Sequence, residues 1–358
     1  MTSVNLFKPL QINGIEFTNR TWVSPMCQYS AKDGFISEWH RVHLGAFATG
    51  GAGLVLVEAS GVTPEGRISP SCPGLWSDEH VEKFRPIVDF AHTMGTRIGI
   101  QLAHAGRKGS TNEPWNGNGS VSLDAGGWET LAPSAIPFGT YSTPRALTRD
   151  GIAAQVEAFV MAAKRVVAVG FDVVEIHAAH GYLLHQFLSP LSNTRDDEYG
   201  GDFAGRTRFL KEVAAAVRNA IPTSMPLFIR VSATDWVDGG WDLAQTIELA
   251  KDLKVLGVDL IDVSSGGLVH HAKIPAGPNY QVPFAAAIRK EAEIATSAVG
   301  FITEPAQAEE IIASGKADAV MLARAYLRDP RWALNAAETL GVTIPWPKQF
   351  DRARTLHG

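Results

Sequence analysis

Cysteine is almost absent: Cys27 and Cys72 are the only two in 358 residues. Two thiols make no disulfide framework, and they cannot supply the four thiolates that hold an iron–sulfur cluster. Such usage fits a reducing cytoplasm, the expected compartment. Long apolar runs are missing too. The stretch Ala158–Val169 is interrupted by Lys164 and Arg165, so no membrane span is expected. Met1–Leu10 offers no apolar stretch of signal-peptide length. There is no excess of basic charge: the formal net charge is −5, without a long Lys/Arg run, which argues against nucleic acid as a partner. A Gly-x-Gly-x-x-Gly turn is lacking, so a doubly wound dinucleotide-binding sheet stays an alternative without its usual support.

What is present is a repeat of short apolar runs and amphipathic stretches. With 45% hydrophobic and 19% charged residues, the chain can bury a large core. Eight runs read as strands: Thr21–Ser24, Leu54–Val57, Ile98–Leu102, Val173–Ile176, Leu227–Val231, Leu260–Val263, Ala295–Ala298 and Ala319–Leu322. Clear helices between them are Ile152–Val169, Arg206–Asn219, Leu243–Leu256 and Pro305–Ser314. Thr148 and Thr303 stand where helix caps belong, and Gly170 and Gly257 where left-handed residues end helices. Eight alternations predict an α/β fold, a (β/α)8 TIM barrel, as one domain over residues 1–358. Leu10–Phe17, with Asn13-Gly14 at its centre, predicts a hairpin that could plug the bottom of the barrel. Residues 108–147, rich in Gly, Pro, Ser and Asn, form a long loop after the third barrel strand, on the active face. Residues 341–358 form a C-terminal tail.

Chemistry gathers where barrel strands end. The run Val173–Ile176 leads directly into His177, His180 and Tyr182. Two imidazoles can donate to one carbonyl oxygen, and a nearby phenol can deliver a proton. The same histidines could serve as zinc ligands or sit satisfied in the core. The first strand ends in Ser24-Pro25-Met26-Cys27-Gln28-Tyr29, where Cys27 is either a core thiol or a site residue. Gln101, inside an apolar run, must be bonded, either structurally or to a flat ring with donors and acceptors. Arg230 closes its strand, and a buried arginine needs an anion; an ion pair with a neighbouring carboxylate is the alternative to a ligand. Gly300 and Arg324 follow strands seven and eight, where barrels commonly hold a phosphate; a salt-bridged Arg324 is the alternative. One ligand with a phosphate and a planar hydrogen-bonding ring would satisfy these positions together, and flavin mononucleotide (FMN) fits.

These residues carry a resemblance. The segments Leu6–Leu10, Ser24–Ser30, Trp76–His80, Gln101–Lys108, His177–Tyr182, Ser192–Arg195, Asp197–Gly201 and Arg324 resemble the Old Yellow Enzyme family of FMN-dependent ene reductases, over nearly the whole chain. The thermophilic-like branch with the xenobiotic reductases is the most similar. The resemblance implies an NADPH dehydrogenase, with NADH possible, that reduces small enones or nitro compounds by ping-pong kinetics. It implies that Pro25, Met26 and Cys27 line the flavin, that Gly61 approaches it through backbone, and that Gln101 and Arg230 bond its pyrimidine edge. Gly300, Ala323 and Arg324 would hold the phosphate. His177 and His180 would grip the substrate oxygen, Tyr182 would donate the proton and Tyr29 would border the substrate. Many relatives have Gly where Ala323 stands. Arg352 would reach the active site of a neighbouring subunit, implying a homodimer or a dimer of dimers.

Overall fold

A computed structural model describes residues 4–117 and 119–354; the last four tail residues therefore lie outside the described residues. The strands are β1 (Leu10–Ile12), β2 (Ile15–Phe17), β3 (Thr21–Val23), β4 (Leu54–Gly61), β5 (Arg97–Ala103), β6 (Leu131–Ala132), β7 (Arg145–Ala146), β8 (Val173–Ala178), β9 (Leu227–Ser232), β10 (Leu260–Ser264), β11 (Ala295–Val299) and β12 (Ala319–Leu322). The helices are α1 (Glu38–Thr49), α2 (Asp78–Thr93), α3 (Arg149–Val169), α4 (Leu183–Leu188), α5 (Phe203–Ala220), α6 (Leu243–Val255), α7 (Val282–Glu291), α8 (Pro305–Ala313), α9 (Arg324–Arg328) and α10 (Trp332–Thr339). Strands β3, β4, β5, β8, β9, β10, β11 and β12 close a parallel barrel, with β12 returning to β3. This is the (β/α)8 barrel that the alternation predicts. The strands are buried on both faces, which is why they read as continuous apolar runs.

Local chemistry fixes the helix ends. Thr148 caps α3 by accepting from Gly151 N at 3.0 Å, and Gly170 ends it at φ +97°. The Thr303 cap is not found: Glu304 is the N-cap residue of α8, and Gln307 reaches back to its backbone N–H at 3.4 Å. A carboxylate does there what the threonine hydroxyl was expected to do. Helices α1 and α2 use an uncommon box in which the backbone N–H groups of Ser37 and Ser77 donate to His40 Nδ1 and His80 Nδ1.

The hairpin β1–β2 closes the lower end. Asn13 turns at φ +50°, and Gly14 N donates to Ser224 O at 3.1 Å; a Cβ on Gly14 would stand 2.6 Å from that oxygen, so glycine is required. Phe17 from the hairpin packs on Trp22 at 4.8 Å between ring centres, and Trp22 stacks on Phe228 at 5.7 Å. At the opposite end, the long loop is more ordered than its composition suggests. β6 and β7 pair in parallel, and Arg195 ties them down by donating to Pro133 O at 3.0 Å and Leu147 O at 2.6 Å.

Candidate active site at the mouth of the barrel

Two histidines and a tyrosine meet at the end of β8. The His177 ring lies 5.1 Å from that of His180 and 5.0 Å from that of Tyr182, edge-on to both. Ala179 N donates to His177 Nδ1 at 3.2 Å, so the neutral ring carries its proton on Nε2. His180 takes φ +58°, is held through its N–H to Ser232 Oγ at 2.9 Å, and has Nε2 2.7 Å from Ser264 Oγ. Burial, then the charge of Arg230, holds both imidazoles well below the ordinary histidine range, so both are neutral. Burial, then Cys27, raises the Tyr182 phenol, so it keeps its proton. The trio can therefore donate hydrogen bonds and one proton without carrying net charge.

Residues that the sequence did not single out support this loop. Lys108 Nζ donates to His180 O at 2.7 Å and Gly267 O at 2.9 Å, and lies 5.2 Å from the Tyr182 ring centre. Burial, then Arg107, pushes that ammonium down to about 8. His185, wholly buried, pairs with Asp235 at 3.0 Å and accepts from Gly181 N at 2.9 Å. Among the described residues, no three His, Cys, Asp or Glu side chains converge as a metal set, so the zinc reading of His177 and His180 finds no third ligand.

Pro25, Met26, Cys27 and Tyr29 form the partly buried loop after β3. A buried pair anchors it: His40 Nε2 lies 3.2 Å from Glu58 Oε1, and Glu58 Oε2 accepts from Gln28 N at 2.8 Å. Glu58 sits where β4 shifts register between Val57 and Ser60, a bulge that turns strand backbone toward the mouth. Tyr29 takes φ +49° and packs edge-on against Trp115 of the long loop. Cys27 and Tyr182 pack on one small apolar cluster with Cys72. Gly61 ends β4 with its N–H and C=O paired to Pro73 and Leu75, and a Cβ there would stand 3.0 Å from Thr63 O.

Inside the mouth, Gln101 Nε2 donates to Glu175 Oε1 at 2.8 Å, and Arg230 Nε lies 2.9 Å from Asp262 Oδ2. On the far side, Gly300, Ala323 and Arg324 line one cavity with Thr303 and Arg328. Gly300 takes φ +114°, and a Cβ there would stand 2.6 Å from the Tyr280 ring. Arg324 is exposed, with its guanidinium 4.2 Å from the Phe301 ring centre, and among the described residues it forms no salt bridge. Arg352 is exposed on a turn beyond the tail segment Pro345–Gln349, which runs beside Ala48, Gly51 and Met94; it is not gathered with the other predicted site residues.

Comparison with known proteins agrees over the full length. Residues 5–342 match the model of the NADH:flavin oxidoreductase / NADH oxidase family. An NADPH dehydrogenase of Geobacillus sp. (strain WCH70) is 47% identical over 350 residues, covering 97% of this chain and 98% of that protein. The structure of morphinone reductase in complex with tetrahydroNAD superposes with a TM-score of 0.78 at 27% identity, covering 96% of this chain and 93% of that one. The Old Yellow Enzyme homologue from Zymomonas mobilis gives a TM-score of 0.79 at 28% identity, covering 96% and 98%.

Proposed function

Because the chain belongs to the NADH:flavin oxidoreductase / NADH oxidase family, that of the Old Yellow Enzymes, we propose that it is an NADPH-dependent ene reductase acting on small α,β-unsaturated carbonyl compounds, and also on nitro compounds. The coarser part is settled by membership: an oxidoreductase with FMN as cofactor and a reduced nicotinamide as electron source.

The residues at the mouth suit FMN. The glycine cradle at Gly300 has no room for a side chain, and beside it the Ala323 N–H and the exposed Arg324 guanidinium would hold the phosphate. Gln101 and Arg230 would meet the pyrimidine edge, with Pro25, Met26, Cys27 and Gly61 along the ring. When bound, FMN supplies to the substrate's β-carbon the hydride that it has taken from NADPH.

The rest of the reaction falls to the protein. His177 would donate through Nε2 to the substrate carbonyl oxygen. His180 would donate through Nδ1, in the tautomer whose Nε2 accepts from Ser264 Oγ. Two neutral donors stabilise charge as it builds on that oxygen without first having to lose a proton. Tyr182, kept protonated by burial, would deliver its proton to the α-carbon, and Tyr29 would border the substrate. The whole chain is read as one FMN-binding domain in a cytoplasmic homodimer or dimer of dimers, with Arg352 bordering the site of the neighbouring subunit.

The observation that carries the reading is the clustering of two neutral imidazoles and a protonated phenol around one point at the barrel mouth. Anaerobic turnover of cyclohexenone with NADPH tests it: saturated ketone should form at the expense of NADPH. A yellow protein that consumes NADPH but leaves the C=C bond intact would refute the substrate class.

A further inference from the structure

One polar layer lies across the inside of the barrel. Strand register sets Gln101 opposite Glu175, Arg230 opposite Asp262, and Asp262 opposite Ser297. The layer holds two carboxyl groups and one guanidinium, all in the dry interior. Arg230 is committed to Asp262, which also accepts from Ser297 Oγ at 2.8 Å, while Arg230 Nη2 donates to Ser24 Oγ at 3.1 Å. Glu175 is wholly buried, and among the described residues it receives only the neutral Gln101 amide, on Oε1, while its buried Oε2 has no hydrogen-bond partner.

Charge counting then separates the two acids. One cation can neutralise one carboxylate, and geometry gives it to Asp262. An O–H without an acceptor costs less than an unpaired buried carboxylate. The charged and titratable groups facing Glu175 are Asp262 on β10, Arg230 on β9 and the neutral His177 on its own strand. Burial, then the charge of Asp262, pushes the Glu175 carboxyl up to about 8. Burial raises Asp262 as well, but Arg230 opposes that directly.

We propose that Glu175 is a positioning residue that holds a proton inside the barrel: as a neutral acid it takes the Gln101 amide N–H, and so turns the Gln101 carbonyl oxygen toward the cavity where the pyrimidine N–H of the flavin would meet it. The positioning half rests on the flavin placement proposed above; the proton does not. With the proton on Oε2, the oxygen that faces Gln101 is an acceptor alone, so it takes the N–H face of the amide and not the carbonyl face.

Two measurements on protein stripped of FMN, and one on reconstitution, test this. Infrared spectra of the wild type near neutral pH should contain the C=O stretch of a buried carboxylic acid, fading as pH rises through about 8, and Glu175→Gln should lack it. Because the folded-state value is raised, the contribution of Glu175 to stability should fall as pH rises from about 4.3 to about 8, so the wild type should lose urea stability relative to Glu175→Gln across that range. On reconstitution, Glu175→Gln, which keeps a neutral acceptor, should bind FMN within a few-fold of wild type, whereas Glu175→Leu should bind it on the order of tenfold or more weakly. A wild-type protein without the acid band, or a band that persists in Glu175→Gln, would overturn the proton. Equal loss of affinity in the Gln and Leu variants would overturn the positioning role. Unchanged affinity in both Glu175→Leu and Gln101→Leu would instead overturn the flavin placement beneath it.

Discussion

In the proposed reaction, Tyr182 and the two histidines act by staying neutral. The apolar run of β8 brings them to the mouth, and burial there drives phenol and imidazoles to their uncharged forms. Tyr182→Phe should slow substrate reduction by roughly 10²–10⁴-fold while sparing bleaching of the flavin by NADPH, as stopped-flow measurement of the two half-reactions would show. His177→Ala or His180→Ala should weaken binding of phenolate ligands, which resemble a developing enolate, and shrink their long-wavelength absorbance over the oxidised flavin. Depressed histidine values also carry a sign for stability. The unfolded chain binds these protons below about pH 6.5 while the folded one still refuses them, so stability falls as pH drops from there. The double variant His177→Asn, His180→Asn should lose less stability over the same acid range in a urea titration. At this scale the sequence was informative, because each residue stands at the end of an apolar run. Glu58, Glu175 and Asp262 were not legible: inside such a run an acid reads only as a break, and its partners lie on strands or helices far along the chain.

Elements place those residues, and their ends do most of the placing. All eight barrel strands could be read, since strands buried on both faces are mostly apolar and a single polar residue does not hide the run. The extension of β4 past Val57 could not, because Glu58, Ala59 and Ser60 interrupt the pattern just where the bulge needs a polar side chain. Helices α1 and α2 escaped clear recognition for a related reason: their capping partner is histidine, where the familiar box has Glu or Gln. His40 thereby serves two elements, closing the start of α1 through Nδ1 and pairing with Glu58 on β4 through Nε2. Glu58→Leu should strip the acceptor from Gln28 N and leave His40 without its partner. Unfolding in urea should report a loss of roughly 3–5 kcal/mol. An unchanged midpoint would show that the loop after β3 is held by other contacts.

The molecule as a whole is a cylinder open at one end. The hairpin fills the other, where Phe17, Trp22 and Phe228 form an aromatic floor. Phe17→Ala should cost roughly 3–5 kcal/mol in unfolding free energy. Because the floor lies away from the mouth, FMN content and turnover at low temperature should be retained, as absorbance and initial rates would show. The role proposed for the tail lies at a larger scale still. If Arg352 serves a neighbouring subunit, Arg352→Ala should change the Michaelis constant for NADPH or substrate more than it changes FMN content, and sedimentation should give a dimer or tetramer. A fully active monomer would remove that role.

The seam of the barrel imposes an order in time on its synthesis. Trp22 and Val23 on β3 take Met321 and Leu322 on β12 as ladder partners, so one flank of the first barrel strand waits for nearly the last. Ribosomes add about 5–20 residues per second, so a gap of roughly 300 residues leaves that flank open for roughly 15–60 seconds. During that interval the nascent chain is an open curved sheet, with the backbone donors and acceptors of β3 unanswered and one of its faces wet. A chain stalled before residue 319 has no strand with which to finish the circle, and its raw edge can pair with any other incomplete copy nearby. Slower or denser translation of its messages should therefore lower the yield of folded enzyme, as the soluble fraction at graded expression levels would show.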